Sequence, residues 1–236
     1  MRAATFNIHH GVGMDGRLDL ERVAQTIESL DADVIGLQEV DRRFGERSQF
    51  LDQPRVLSRR LGMRLAYGPA LDLEPLHAGE PRRRYGNAVL SRYPIVRRRN
   101  MTLPRTAAVE QRALLRARID LGDRVVDAYT THLEAHDKGQ RALQAAAVAT
   151  TLASSDRPCL LLADLNARPD GVEMAAIAAV LDDAWTVGTG HGRTHPATAP
   201  TRRIDAVLHS ADLVATAAWV VATTASDHRP VVVEFD

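Results

Sequence analysis

Apolar positions along the chain fall mostly into short runs separated by turn residues, and a few longer stretches have helical spacing. Asp19–Leu30 repeats apolar residues every three or four positions behind a capping aspartate, which predicts a helix. Lys138–Leu152, rich in Ala, Leu and Gln, predicts a second helix. Weaker helical patterns cover Arg55–Leu61 and Gly171–Leu181.

The remaining apolar runs predict strands, many of them apolar throughout, as in strands that are covered on both faces. Helices inserted singly among many strands favour two packed sheets with helices outside. A doubly wound parallel sheet would need helices between most strand pairs, and residues 86–130 offer none. The predicted strands are Ala3–Ile8, Asp33–Gln38, Arg64–Ala70, Gly86–Ser91, Ile95–Met101, Ala113–Asp120, Val125–Thr130, Cys159–Ala163, Ile204–Leu208, Leu213–Val221 and Pro230–Phe235.

Composition narrows the class of protein. Thirty basic and thirty acidic residues cancel, which excludes the globally basic surface of a non-specific nucleic-acid binder and leaves a local basic cleft open. Lys138 is the only lysine, so nearly all basic residues in the chain are arginines. The abundance of arginine is therefore weak evidence for any particular function. The lone Cys159 excludes a disulfide framework and a cysteine-cluster zinc site. With no apolar stretch of membrane-spanning length and polar residues early in the chain, we expect a cytoplasmic protein.

Polar residues that follow or interrupt buried strands are the main functional signal. Such positions are rigid, and side chains at one rim of a sheet can converge on a cleft. Carboxylates and amides without thiols suit Mg²⁺ or Mn²⁺ rather than zinc, and two histidines suit acid–base work near neutral pH. Together they suit metal-assisted hydrolysis of a phosphate ester. The residues are Asn7, Glu39, His132, Asp164, Asn166, Asp205, Asp227 and His228.

Seven short motifs occur in an order that resembles the endonuclease/exonuclease/phosphatase superfamily, which includes deoxyribonuclease I. They span residues 5–231, and the Asn7–Gly11 start is most similar to compact bacterial metal-dependent hydrolases. Ala163 departs from the pattern, which usually has glycine before the aspartate. The motifs are Thr5-Phe6-Asn7, Leu37-Gln38-Glu39-Val40, Gly86-Asn87-Ala88-Val89-Leu90-Ser91, Thr131-His132-Leu133, Ala163-Asp164-Leu165-Asn166, Arg203-Ile204-Asp205 and Ser226-Asp227-His228-Arg229-Pro230-Val231.

The resemblance implies an α+β fold of the deoxyribonuclease I type. This is a four-layer α/β sandwich of two mainly antiparallel or mixed sheets flanked by helices, and we expect one catalytic domain over residues 1–236. It implies that Glu39 is the principal metal ligand, with Asn7 and Asp227 completing or orienting the metal shell. The expected cofactor is Mg²⁺, with Mn²⁺ as a substitute.

The resemblance also implies the catalytic residues. His228 would be the acid–base histidine, oriented by Asp205, and Asp164 would position or deprotonate the attacking water. Which of Asp164 and His228 removes the proton stays open. Taken singly, Glu39 also fits a surface carboxylate and Asp164 an Asx turn, but the ordered set favours chemistry. The expected phosphate-binding residues are His132, Asn166 and Asn87.

These features predict a Mg²⁺-dependent phosphoesterase, most readily a phosphodiesterase. Two alternatives stay open: a DNA or RNA nuclease of the same superfamily, and a non-catalytic binding module that retains the fold. The substrate is expected to be a small phosphodiester, a phospholipid head group or nucleic acid, without membrane insertion or an obligate protein partner. Arg82–Arg84 either grips a polyanionic substrate or is a solvated loop. His9, His10, His191 and His195 receive no role.

Overall fold

The computed structural model describes residues 1–236, which form twelve strands, four α-helices and four short 3-10 helices. The helices are α1 (Leu20–Ser29), α2 (Gln53–Leu61), α3 (Lys138–Ala153) and α4 (Ala175–Ala178). The strands are β1 (Arg2–Asn7), β2 (Val34–Arg42), β3 (Arg64–Leu73), β4 (Arg83–Ser91), β5 (Ile95–Thr102), β6 (Ala113–Asp120), β7 (Val125–His132), β8 (Cys159–Asp164), β9 (Asp182–Asp183), β10 (Asp205–His209), β11 (Ala215–Val220) and β12 (Val231–Phe235). The 3-10 helices are His9–Gly11, Glu46–Ser48, Val172–Met174 and Ala184–Val187.

The strands form two six-stranded sheets, in the orders β11-β12-β1-β2-β4-β3 and β5-β6-β7-β8-β10-β9. Each sheet is antiparallel except for one parallel pair, β1–β2 in the first and β7–β8 in the second. One apolar core lies between the sheets, a second between the first sheet and α1, and a third between the second sheet and α3. The four layers confirm the predicted α+β sandwich. None of the helices combines the length and apolar composition that a bilayer crossing needs.

A buried amide ties the two sheets together next to the predicted site. The Gln38 side chain, fully buried on β2, donates to the Thr130 hydroxyl at 2.9 Å and to the Leu162 carbonyl at 3.1 Å, both on the second sheet. Nearby, Gly36 allows the sheets to approach closely, because a Cβ there would lie 2.5 Å from the Cβ of Leu162. The spacing between the sheets is therefore fixed by a hydrogen bond and a missing side chain.

The largest correction to the predicted elements concerns β2, which we expected to end at Gln38. The strand continues to Arg42, so Glu39 lies inside it, with a left-handed φ of 56°. The register with β4 shifts between Leu37 and Val40, which is a β-bulge. Bulges re-aim a side chain without ending the strand, and this is why the pattern of apolar residues alone placed the boundary too early.

Two further segments differ from the predictions. Arg83 and Arg84 belong to β4 rather than to a loop, since they pair with β3. The helix expected over Gly171–Leu181 is a single 3-10 turn followed by the short α4. The chain leaves the helix because the next residues, Asp182–Asp183, pair with β10 at the edge of the second sheet.

Candidate active site

Strand register brings the predicted polar residues to one rim of both sheets. His132 and Asp164 are the last residues of the parallel strands β7 and β8 and lie opposite one another. Asp205 begins the antiparallel β10 and also pairs with Asp164. Asn7 ends β1 beside Gln38, one residue before Glu39. The first sheet thus supplies one half of the site and the second sheet the other.

Asn7 joins these two halves. Its amide nitrogen donates to Glu39 Oε1 at 3.0 Å and to Asp164 Oδ2 at 2.9 Å, while its amide oxygen accepts from the backbone N–H of His9 at 3.0 Å. The backbone carbonyl of Asn7 accepts from the Ser226 hydroxyl at 2.7 Å. In this arrangement the amide nitrogen of Asn7 faces both carboxylates, and its amide oxygen faces the backbone N–H of His9.

Glu39 is held in its ionised form. Burial raises the pKa of Glu39, but the adjacent His10 imidazole and the Asn7 amide outweigh burial, and the pKa falls well below its usual range. His10 Nδ1 lies 3.7 Å from Oε2, and His132 Nδ1 lies 4.0 Å from Oε1. A deprotonated carboxylate is the form that binds a hard cation.

His228 and Asp205 form a buried pair. His228 Nδ1 lies 2.8 Å from Asp205 Oδ2, and the same oxygen accepts from the Thr194 hydroxyl at 2.5 Å. Burial lowers the pKa of His228, but the charges of Asp205 and Asp164 exceed that effect and raise the pKa to about 10. The imidazole is therefore held protonated across the neutral range.

Asp164 lies at the centre of the site and is 1% exposed. Its Oδ2 is 3.8 Å from His228 Nε2 and 3.5 Å from His132 Nε2, and its Oδ1 accepts from the backbone N–H of Asn166 at 3.0 Å. Burial, followed by the charge of Asp205, raises the pKa of Asp164 to about 7. Asp164 can therefore exchange a proton near neutral pH.

His132 is held uncharged. Burial, then the charge of Arg112, lowers the pKa of His132 to about 3. Arg112 approaches Nδ1 at 3.2 Å and the Asn166 amide lies 2.9 Å from Nε2, and the neutral ring accepts a hydrogen bond at only one of these two nitrogens. Asn87, 2% exposed, donates its amide to the Ala113 carbonyl at 3.0 Å and lines a narrow cleft with Glu39, Arg112 and His132.

Asp227 precedes His228 in the chain and makes no hydrogen bond to the Asn7 side chain. Its carboxylate lies between His195, at 3.7 Å, and His9, at 3.9 Å, and its side chain is about one-third exposed. Two groups of side chains are compact enough to hold a metal ion, His195, Asp227 and His228, and Asp164, Asp205 and His228; both include His228, which can bind a metal only after it loses its proton. Four carboxylates at one rim, two of them almost fully buried, fit a divalent cation because it offsets their mutual repulsion.

Four residues at the site were not predicted to have roles. They are Thr194, which binds Asp205; Arg112, which binds His132; His195, beside Asp227; and His10, beside Glu39. The two histidines stood out in the sequence only as residue types. Thr194 and Arg112 carried no sequence signal, because a threonine in a loop and one arginine among many are common.

Comparison with known proteins identifies the family of this chain. The family model described as Endonuclease/Exonuclease/phosphatase family matches residues 4–228. The Escherichia coli protein YbhP, described as uncharacterized, is 28% identical over 254 aligned positions that cover 99% of this chain and 95% of YbhP. Protein cwh43 of Schizosaccharomyces pombe is 27% identical over 161 residues, 68% of this chain but only 15% of cwh43.

Solved structures agree with the family match. An endonuclease/exonuclease/phosphatase from Beutenbergia cavernae superposes with a TM-score of 0.82 at 27% identity, covering 100% of this chain and 71% of that one. A mannosyl-6-phosphatase from Bacteroides thetaiotaomicron shares the fold, with a TM-score of 0.80 at 20% identity over 100% of this chain and 99% of that one. The chain belongs to the endonuclease/exonuclease/phosphatase family, whose members are metal-dependent phosphoesterases and nucleases.

Proposed function

We propose that this protein is a Mg²⁺-dependent phosphoesterase that hydrolyses a phosphodiester, with residues 1–236 acting as one catalytic domain. The observation that supports this best is the position of Asp164, which lies between the protonated His228–Asp205 pair and the ionised Glu39. A proton acceptor with a pKa of about 7 beside a proton donor with a pKa of about 10 is an arrangement that suits general acid–base hydrolysis.

Glu39 and Asp227 would hold the metal ion, with Asn7 fixing the orientation of Glu39. A bound Mg²⁺ supplies charge neutralisation at the phosphoryl oxygens. The donors are oxygen atoms, and no thiol lies at this rim, since the only cysteine, Cys159, is buried at the far end of β8. This donor set favours Mg²⁺ or Mn²⁺ over Zn²⁺.

The chain's own residues would divide the proton transfers. Asp164 accepts a proton from water as the water oxygen bonds to phosphorus, because its raised pKa makes it an effective base near pH 7. The phosphorus–oxygen bond to the leaving group breaks, and His228 Nε2 gives its proton to the departing oxygen. Asp205 keeps His228 protonated until that step.

The phosphate would rest against the uncharged wall of the site. His132, Asn166 and Asn87 offer polar groups there, and Arg112 adds a positive charge behind His132. Because burial keeps His132 neutral, its role would be to donate a hydrogen bond from its one ring N–H to a phosphoryl oxygen without transferring the proton. A diester and a monoester present the same oxygens to this wall, so the substrate panel below includes both.

Metal removal tests the proposal. Incubation with EDTA followed by dialysis is expected to abolish hydrolysis of bis(p-nitrophenyl) phosphate, and Mg²⁺ or Mn²⁺ to restore it better than Zn²⁺. Glu39→Gln keeps the shape of the ligand but removes its charge. We expect it to lower kcat/KM by more than the roughly 10–100-fold that losing an outer-sphere metal partner costs.

Glu28→Gln is the matched control, since Glu28 is an exposed carboxylate on α1 that pairs only with Arg60. Full activity after metal removal would overturn the metal assignment. Turnover of neither diester, monoester, DNA nor RNA by the Mg²⁺-loaded protein would favour the alternative, a binding module that retains the fold.

A further inference from the structure

A second pocket opens beside the candidate active site. Its volume is about 450 Å³, within the range of small-molecule binding sites, roughly 300–1,000 Å³. Asn166 is part of its lining and also contacts His132 in the catalytic centre. A ligand that reaches from one to the other would therefore pass this residue.

Positive charge dominates the lining. One acidic residue, Glu173, faces six basic ones, although the chain as a whole is neutral. Local concentration of one sign of charge in a concave site attracts ligands of the opposite charge. The six basic residues are Lys138, Arg141, Arg168, Arg193, Arg202 and Arg203.

Three of these cations are already neutralised by carboxylates, at nitrogen–oxygen distances of 3.1, 2.7 and 2.6 Å. The pairs are Arg141–Glu173, Arg203–Asp183 and Arg168–Asp170. Arg141 is 4% exposed, and its Nε has no hydrogen-bond partner. A buried guanidinium with an unused donor is costly unless something binds it.

The other three cations, Lys138, Arg193 and Arg202, have no carboxylate within ion-pairing distance. Arg202 instead approaches His195 Nδ1 at 2.7 Å, and Lys138, at the start of α3, is the only lysine of the chain. All three are exposed. The pocket therefore carries about three positive charges that the protein itself does not balance.

The segment that carries Arg193 and Arg202 is held in place. The backbone N–H of Thr194 donates to the Arg202 carbonyl at 2.8 Å, and the Arg202 N–H donates to the His195 carbonyl at 2.9 Å. The Thr194 side chain, in turn, binds Asp205. These contacts fix the backbone at the two arginines relative to the His228–Asp205 pair, so binding a ligand there costs little backbone ordering.

We infer that this pocket binds a second phosphate group of the substrate, so that the protein prefers molecules with two phosphates, one at the catalytic centre and one among Lys138, Arg193 and Arg202. The inference rests on the proposed function for the position of the first phosphate. Guanidinium groups suit the second one because they match phosphate oxygens in pairs. The ligand class is thus a molecule with two phosphate groups, and a bisphosphorylated small molecule and an oligonucleotide are two sources of this chemistry.

Calorimetric binding of bisphosphonates tests the inference without turnover. In Mg²⁺ buffer, we expect α,ω-alkane bisphosphonates of one particular chain length to bind at least about tenfold more tightly than methylphosphonate, the gain of one charge-assisted hydrogen bond. Arg193→Gln/Arg202→Gln should remove this advantage, and Lys138→Gln should reduce it. Arg98→Gln is the matched control, because Arg98 is an exposed, unpaired arginine on β5 at the opposite edge of the sheet.

Thermal melting checks that the variants fold, and Lys138→Gln gives a second measurement because its side chain is exposed. Equal affinity for bisphosphonates and methylphosphonate at every chain length, or equal binding by the double variant and the control, would overturn the inference. If no ester is hydrolysed but the selective binding persists, the proposed function fails and the pocket assignment stands. A phosphorylated dinucleotide and an inositol bisphosphate then distinguish the two sources of the second phosphate.

Discussion

Asp205 has two donors on one carboxylate oxygen and none on the other. His228 and Thr194 share Oδ2, whereas Oδ1 is buried without a partner. A buried carboxylate is costly unless an opposite charge lies beside it, and the protonated His228 supplies that charge to Asp205. The two residues therefore act as one unit, which makes their contributions measurable together.

Asp205→Asn tests that unit. The amide nearly matches the carboxylate in size but can hold the wrong tautomer of His228, so we expect kcat to fall by about 10²- to 10⁴-fold, the contribution of general acid–base catalysis. His228→Ala should cost a similar factor, and the double variant little more than the worse single variant. Independent multiplication of the two losses in kcat/KM would contradict the pairing.

Thr194 is a positioning residue with a separate test. Thr194→Val keeps the shape and removes one hydrogen bond to a charged group, which is worth about 1.5–3 kcal/mol. We expect a fall in kcat of about tenfold or more with KM little changed, and a shift in the pH profile of kcat. Thr194→Ser restores the hydroxyl and should restore the profile. A Thr194→Val enzyme with an unchanged pH profile would show that the residue only packs.

At the scale of secondary-structure elements, the candidate site depends on the β-bulge in β2 that contains Glu39. Glu39 has a left-handed backbone conformation inside a continuous strand, a conformation that costs energy for a residue with a side chain. The neighbouring pairs Leu37–Ala88 and Val40–Gly86 hold it from both sides. The energy stored at Glu39 is thus offset by β4, and the same strand carries Asn87 into the cleft wall.

This element also shows how far sequence reasoning reaches. Apolar runs and ordered motifs predicted the sandwich, because a strand that is buried on both faces consists mostly of apolar residues. They could not reveal a bulge, since Gln38 and Glu39 look the same whether a strand ends or bends there. The register that places Asp205 opposite Asp164 likewise depends on pairing between distant segments. The sequence therefore predicted which residues form the candidate site better than it predicted how they are arranged.

The arginines of the β3–β4 hairpin are already engaged within the protein. Arg82 binds Asp72 and Glu74, and Arg84 Nε lies 3.2 Å from Asp72. We therefore expect Arg82→Ala/Arg83→Ala/Arg84→Ala to leave KM for a short oligonucleotide nearly unchanged and to lower the free energy of unfolding only slightly, because exposed ion pairs contribute little. Urea titration and steady-state kinetics check both. A large rise in KM with flattened salt dependence would instead show that these arginines bind substrate.

At the scale of the whole molecule, activity depends on how closely the two sheets approach. Gly36→Ala places a Cβ against Leu162 on the facing sheet, and overpacking of this kind costs about 1–3 kcal/mol. We expect a lower urea midpoint and, because Asn7 spans the same interface, a lower kcat. Gly45→Ala is the control, since Gly45 is extended and open to solvent. Equal midpoints for the two variants would show that the sheets can separate freely.

The first sheet is built from both ends of the chain, whereas the second is one continuous stretch between β5 and β10. β1 pairs with β12, so that Ala3 lies opposite Val233, and the Met1 amino group donates to the Phe235 carbonyl at 2.8 Å. On the ribosome, the whole second sheet emerges before Asp227, His228 and β12 do. A nascent chain therefore exposes Glu39 and Asp164 before His228 can pair with Asp205, and we expect the proposed acid–base pair to form only after β12 has emerged.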